Sequence, residues 1–457
     1  MKNMKKTLTN FALFAVLMNF IVQNVNAQSP TDYRRSSLSF ILMEHSGLGQ
    51  SRDLVVKSYE DNPFPEEYNK HVLKDQKFIF EDLNPTTEDL MASGFYQDTL
   101  KSFKDFLKAL KNPLRPLRYT KADSSEAVQE PSEFDMVQIK IDKFLREKDI
   151  AKQMVASWFN RDPETGKMDF ELVKERGKYS ASEEKLDQAK TVADEGEFLK
   201  DMELLGNTYT VINKMEFYAN EPVARLIADA AKEELLKSMA GSPQVLIDKG
   251  LAGIEKIYEK TKEGYTVKCN SYLYQLNWDE DVAAKTKSYF FNENVDSKAA
   301  WDTTSLFKLS FVGNTTSLSL VTFKLGEKRT EEDIINLQVK RTMDNAIAKL
   351  QKKYVQFRAV APIASVEPLT ARIGLKQGVE PKQKWEILEM SFNELGLPVW
   401  KSIGKISVDK KAPIWDNTYG AETPVDESGN PVEVQKFSTF TGGKKAQPGL
   451  HFIRLVK

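Results

Sequence analysis

The chain has one cysteine and three histidines in 457 residues. A single thiol excludes an intramolecular disulfide framework, and Cys269 sits in the alternating run YTVKCNSYLYQLNW, where burial as a small hydrophobe is expected. So few histidines form no clustered metal-ligand set in the sequence, and neither GxSxG nor HExxH occurs. An excess of one charge is also missing, since 65 Lys and Arg stand against 66 Asp and Glu. Affinity for nucleic acid comes largely from neutralising phosphates, so this balance argues against DNA or RNA as a partner. Beyond the first 27 residues no run of about 18 apolar residues appears, and no transmembrane helix is expected.

What the sequence does have begins with a processing signal. Lys2, Lys5 and Lys6 form a basic start, residues 11–22 form an apolar run too short to span a bilayer, and Val25-Asn26-Ala27 gives a small-x-small cleavage pattern. Residues 1–27 are therefore expected to be a signal peptide, with a mature chain from Gln28 that is periplasmic or secreted. No Cys follows the cleavage point, which disfavours a lipid anchor. The remaining chain of about 430 residues is long enough for two or three domains, and 41% hydrophobic residues can supply ordinary cores.

Residues 38–43 are a compact apolar run that reads as a buried strand, ending in Glu44-His45-Ser46-Gly47-Leu48-Gly49. A His beside a Glu and a Ser can transfer protons, and loops after strands of α/β sheets often bind ligands. Adjacent residues on a strand point to opposite faces, however, and no GxGxxG is completed, so a turn is the expected reading. Residues 100–110 are a short amphipathic helix with Phe103, Phe106, Leu107 and Leu110 on one side, and 112–134 an exposed Pro- and Ser-rich loop. A helix is expected over 149–159. Asp162, Glu164 and Asp169 around Gly166 fail the spacing of an EF-hand and read as a turn. Ser180 or Ser182 caps a helix carrying Leu186, Ala189, Ala193, Phe198, Met202 and Leu205, and a strand follows over 209–217.

Asn220 and Pro222 open another helix, with Val223, Leu226, Ile227, Ala230 and Leu235 expected on its inner side, and a further helix lies near 243–259. The pattern then turns to β: a strand over 265–278, a short one over 286–291, and a hairpin of 306–312 and 317–325 about Gly313-Asn314. Thr330 caps a long helix, with Asp333 at the capping-box position. Its stripe of Ile335, Val339, Met343, Ala346, Leu350 and Tyr354 reads as core.

From 364 to 408 apolar and polar residues alternate through 370–373, 385–390 and 399–408, and Asn393-Glu394-Leu395-Gly396 closes a hairpin. With later runs over 432–440 and 450–456, this is enough for a barrel of five or six strands. Gly442-Gly443-Lys444 lacks the rest of a phosphate loop and reads as a connection. The expected fold class is α+β. A mixed α/β N-terminal and middle domain over 28–329, with an exposed loop near 112–134, leads through a connecting helix over 330–354 to a small, SH3-like all-β barrel over 355–457. Trp385, Trp400 and Trp415 fall in this module. Each is either barrel core or part of an exposed aromatic anchor for a protein partner.

The string Ala371-Arg372-Ile373-Gly374-Leu375-Lys376-Gln377-Gly378-Val379 followed by Lys384-Trp385-Glu386-Ile387-Leu388 resembles the small C-terminal β-barrel of flagellar assembly protein T and related envelope proteins. The order strand, helices, the strand after Leu204-Leu205-Gly206, helix, then several strands is loosely similar to the periplasmic domain of the curli-secretion (CsgG-like) family, which typically assembles at the outer membrane. The whole pattern resembles exported proteins of Gram-negative bacteria. These resemblances imply a place in the envelope and carry no catalytic residue. Two functions follow as expectations. One is a non-enzymatic envelope protein with a binding or surface-assembly role, with envelope or outer-membrane proteins as partners and neither cofactor nor metal. The other is a hydrolase acting on glycan or cell-wall material through two carboxylates that meet only in the fold, about 5 to 9.5 Å apart beside exposed aromatics.

Overall fold

The computed structural model describes residues 34–86, 89, 133–176, 204–291, 297–322, 330–392, 398–418, 436–448 and 450–456. The expected signal peptide, the helices over 100–110 and 186–203, most of the 112–134 loop and the turn at 393–396 lie outside them. Elements are numbered in chain order among the described residues.

Strand β1 (Ser37–Glu44) is buried along almost its whole length, as its continuous apolar run requires of a central strand. It pairs in parallel with β2 (Asn69–Lys70), β3 (Lys77–Ile79) and β4 (Thr208–Ala219). β4 continues antiparallel to β5 (Gly264–Leu276), and β5 to β6 (Leu309–Thr322), giving a six-stranded mixed sheet. Alternation along the strands sorts the core into two faces. Ile41, Met43, Ile212, Tyr272, Tyr274 and Leu276 face α2 (Glu133–Glu147), α3 (Ile150–Trp158) and, further along, α7 (Glu280–Phe290) and α8 (Ser297–Thr303). Leu38, Leu42, Tyr209, Val211, Val267, Cys269 and Leu273 face α1 (Arg52–Glu60) and α9 (Glu331–Lys353). The first part of the chain is thus a layered α/β/α unit, which also includes α4 (Glu171–Arg176).

α9 starts where its capping box stands: Thr330 Oγ1 accepts from the Asp333 amide, and the Asp333 carboxylate accepts from the Thr330 amide. Ile335, Val339, Met343, Ala346 and Leu350 are buried as the stripe predicts, and Tyr354 is half-buried. Its C-terminus is held by Arg358, whose guanidinium donates to the Gln351 and Lys352 carbonyls and also to Leu455 O at 3.0 Å. One cation therefore caps the helix and ties it to the last strand of the second unit.

That unit is a closed, antiparallel six-stranded barrel in the order β10-β11-β8-β7-β12-β9. Its strands are β7 (Ala361–Val366), β8 (Leu369–Ala371), β9 (Lys384–Phe392), β10 (Pro398–Val408), β11 (Ser438–Gly442) and β12 (His451–Leu455). Register shifts in β7 and β10 bend the sheet enough to close. The chain is α+β with a C-terminal β-barrel, as expected.

Three expectations are corrected. Residues 286–291 are not a strand but lie largely in α7, whose N-terminus Asp279 caps by accepting from the Val282 amide. Gly313-Asn314 does not reverse the chain, because β6 runs straight through it with a register shift opposite Leu273 and Tyr274. Glycine is needed there for close approach: a Cβ on Gly313 would lie 2.1 Å from the Tyr354 hydroxyl, which donates to Asn314 O. Third, α5 (Asn220–Ser238) does not turn Leu226 and Ile227 inward. They are 73% and 62% exposed, since α5 and α6 (Gln244–Thr261) leave the sheet as a helical hairpin.

Candidate binding surfaces

The loop after β1 has a structural use for its histidine. His45 Nε2 donates to Met215 O at 2.7 Å, and Nδ1 accepts from the Gly47 amide, so the imidazole caps the short turn over Ser46–Ser51. Glu44, nearly buried, is ion-paired with Arg52. These groups are locked to the scaffold and to each other. Cys269 is equally closed off. Burial pushes its thiol up to about 12, and it lies in a network in which Ser271 donates to Asn213 Oδ1 and Asn213 donates to the Tyr59 hydroxyl.

The three tryptophans separate. Trp385 is 2% exposed and fills the barrel interior edge-on to Phe440, so it is core and not an anchor. An outward ring at this position would leave the middle of a small barrel empty. Trp400 is half-buried on the outside of the barrel, edge-on to Phe452 at 4.9 Å. Trp415 is half-buried and lines a cleft of about 330 Å³ where the barrel meets the layered unit.

That cleft is built by the glycine-rich string read in the sequence. Leu375 N donates to Trp415 O, Lys376 N to Asn417 Oδ1, and Asn417 Nδ2 to Gln377 Oε1. A Cβ on Gly374 would lie 2.2 Å from Trp415 O, so only glycine lets the two segments meet. The brace turns Lys376 inward to Asp344 of α9, Nζ to Oδ1 3.7 Å, both nearly buried. Burial lowers the Lys376 pKa, and the Asp344 carboxylate works against that fall. The two carboxylates at the cleft wall are engaged. Glu66 is ion-paired with Arg372 at 2.9 Å, and Glu67 accepts from Gln351 Nε2 at 3.3 Å. Of the cleft residues Trp415 was a candidate in the sequence, and Arg372 and Lys376 stood in the quoted glycine-containing string without a role, whereas Arg34 and Asn417 were not singled out.

The second surface is the α5–α6 hairpin. At its base Thr266 donates to Asn220 Oδ1 at 2.7 Å, and along its length Lys232 bonds Glu255 and Arg225 bonds both Glu221 and Tyr258. Gly250 lets the helices close on Leu235. One side carries an apolar groove of about 240 Å³ lined by Ala224, Ile227, Ala231, Ile254, Ile257 and Thr261. No residue of α6 is buried, and Ile257 is 63% exposed. Among the described residues no group of His, Cys, Asp and Glu is placed to hold a metal ion, and no helix is long and apolar enough to cross a membrane. Compared with known proteins, the chain matches no family model and no curated sequence.

Proposed function

We propose that the chain is an exported, non-enzymatic envelope protein that binds other proteins or helps assemble a surface structure. The observation that carries this reading is the set of exposed apolar residues on the α5–α6 hairpin, left uncovered among the described residues. Two helices of 19 and 18 residues expose Leu226, Ile227, Val245, Leu246 and Ile257, and patches of this kind mark interaction sites on soluble proteins. Localisation to the periplasm or cell surface rests on the basic and apolar N-terminus with its cleavage pattern. The likeness of the barrel string to flagellar assembly protein T, an SH3-like form for that barrel, and the loose likeness of the first unit to the curli-secretion family fit the same setting. Outer-membrane or other envelope proteins are the proposed partners. The engaged state of Glu66 and Glu67 in the cleft of about 330 Å³ supports binding over glycan hydrolysis, which needs one carboxylate to donate a proton and a second to act as base or nucleophile.

The test is capture from envelope fractions with the chain beginning at Gln28 as bait, beside the double variant Ile227→Glu/Ile257→Glu. Partners retained by the native chain should be lost with the variant. Equal capture by both, or a native protein that keeps Met1 and stays in the cytoplasm, would sink the reading.

A further inference from the structure

The cleft where the barrel meets the layered unit holds more hydrogen-bond donors than its own residues use. Glu66 sets two arginines on one wall: its carbonyl accepts from Arg34 Nε, and its carboxylate from Arg372 Nη2 at 2.9 Å. Each contact takes one nitrogen of a guanidinium with five N–H donors, so both forks keep donors without a partner among the described residues. Gln377 adds a donor of a different kind. It is 5% exposed, and its Oε1 accepts from the Gly374 amide and from Asn417 Nδ2, each at 2.8 Å, which fixes the orientation of the side-chain amide. Its Nε2 is left with two N–H groups and no partner among the described residues, on a side chain that lines the cleft. A nearly buried donor in that state is costly unless water or a ligand brings it an acceptor. Lys436, exposed and likewise unpaired among the described residues, lines the same space.

The geometry points to a binding site for a single carboxylate joined to an apolar group, as an acidic or chain-terminal residue of a peptide provides. Charge sets the sign of the ligand. Arg34, Arg372, Lys376 and Lys436 line the cleft against Glu66 and Glu67, and with Asp344 behind Lys376 the cations still outnumber the carboxylates, in a chain whose net charge is −1. The arginine forks take up the carboxylate oxygens, a planar match for guanidinium, and the Gln377 amide and Lys436 are the further donors. The apolar group lies against Trp415, Pro362 and Ile373, which give the cleft its apolar side. A phosphate suits the forks equally well, but its second negative charge would face Glu66 and Glu67 within the same small space. At about 330 Å³ the cleft takes one or two side chains of a peptide and no folded domain. Arg34 comes from the layered unit, and Arg372, Gln377 and Lys436 come from the barrel, so the site is complete only where the two units meet. It is separate from the α5–α6 hairpin and does not rest on the reading of that face.

Calorimetric titration of the full chain with three blocked dipeptides tests it: acetyl-Ala-Phe with a free carboxylate, acetyl-Glu-Phe amide with the charge on a side chain, and acetyl-Ala-Phe amide with none. At least one acid should bind about tenfold or more tightly than the neutral amide, and the tighter of the two tells a chain end from a side chain. Arg372→Gln and Lys436→Gln should each weaken that binding several-fold with little change in melting temperature, because the Arg372–Glu66 pair is solvent-exposed and Lys436 holds no partner among the described residues. Lys410→Gln removes an exposed barrel lysine outside the cleft and should leave the affinity unchanged. Three dipeptides that bind alike, or none that binds, would overturn the site. So would an equal loss in Lys410→Gln, which would mean general charge attraction, and so would inorganic phosphate that binds where neither acid does.

Discussion

His71 illustrates how a buried group writes itself into the pH dependence of stability. Its Nε2–H donates to Met154 O at 3.0 Å, its ring lies against Trp158, and burial lowers its pKa to about 4, with Arg176 adding to the fall and the Met154 bond opposing it. In the unfolded chain a histidine titrates near 6.5, so between about 6.5 and 4 the unfolded state binds the extra proton. The neutral ring therefore contributes stability that is whole above pH 6.5 and is lost as pH falls toward 4, about 3 kcal/mol in all. Urea melts at pH 7 and pH 4.5 should show a larger acid loss for the native chain than for His71→Gln, and equal losses would remove this assignment. The tryptophans give a second contrast. Trp385→Ala should cost about 3 to 5 kcal/mol, because it empties the barrel interior. Trp415→Ala should cost only about 1 kcal/mol, because the brace across the cleft is made by the backbone at 415 and the side chain of Asn417. Comparable losses in denaturant melts of the two variants would contradict the division into core and cleft.

Among the elements, what was legible in the sequence was local. Thr330 and Asp333 close the capping box of α9 within one turn, and the stripe from Ile335 to Leu350 has the period of a helix with one buried side, so both could be read without a partner. The alternation of β5 sorts Tyr272, Tyr274 and Leu276 from Val267, Cys269 and Leu273 for the same reason. The misreadings arise where a distant residue decides. Gly313 looks like a turn until Tyr354 arrives from 41 positions away, and the β-rich run over 286–291 is helical because Val282, Ala283 and Phe290 complete a buried face. On α5 the stripe was real but its destination was not encoded locally. Val223, Leu226 and Ile227 have the spacing of a core face, and nothing in that spacing says whether the cover is the sheet or another molecule. Of the cleft, the sequence marked Trp415 and the glycine string but not their meeting, because the cations that line it come from segments more than 300 residues apart.

At the scale of the molecule, the question is whether the barrel stands alone or leans on the layered unit. Its core is self-contained, since Ile363, Leu369, Trp385, Ile387, Ile406, Phe440 and Ile453 all come from the barrel's own strands. Its attachment is of another kind. Phe357 stacks on Tyr68 and meets Tyr209 in the core of the first unit, Lys352 pairs with Glu380, and Lys376 reaches Asp344. A fragment over 355–457 should therefore unfold cooperatively while losing these docking contacts. The Lys376–Asp344 pair makes the distinction measurable through one substitution in two contexts. In the full chain, Lys376→Met removes the cation from this nearly buried pair, and removing one partner of such a pair costs about 3 to 5 kcal/mol. In the fragment Asp344 is absent and the face that held Lys376 is open to water, so the same change should shift stability by no more than about 0.5 kcal/mol. Urea melts of the four proteins check both halves. If the fragment shows no cooperative transition, the barrel depends on the first unit. If Lys376→Met costs as much in the fragment as in the full chain, the lysine supports the barrel itself rather than the joint between the two units.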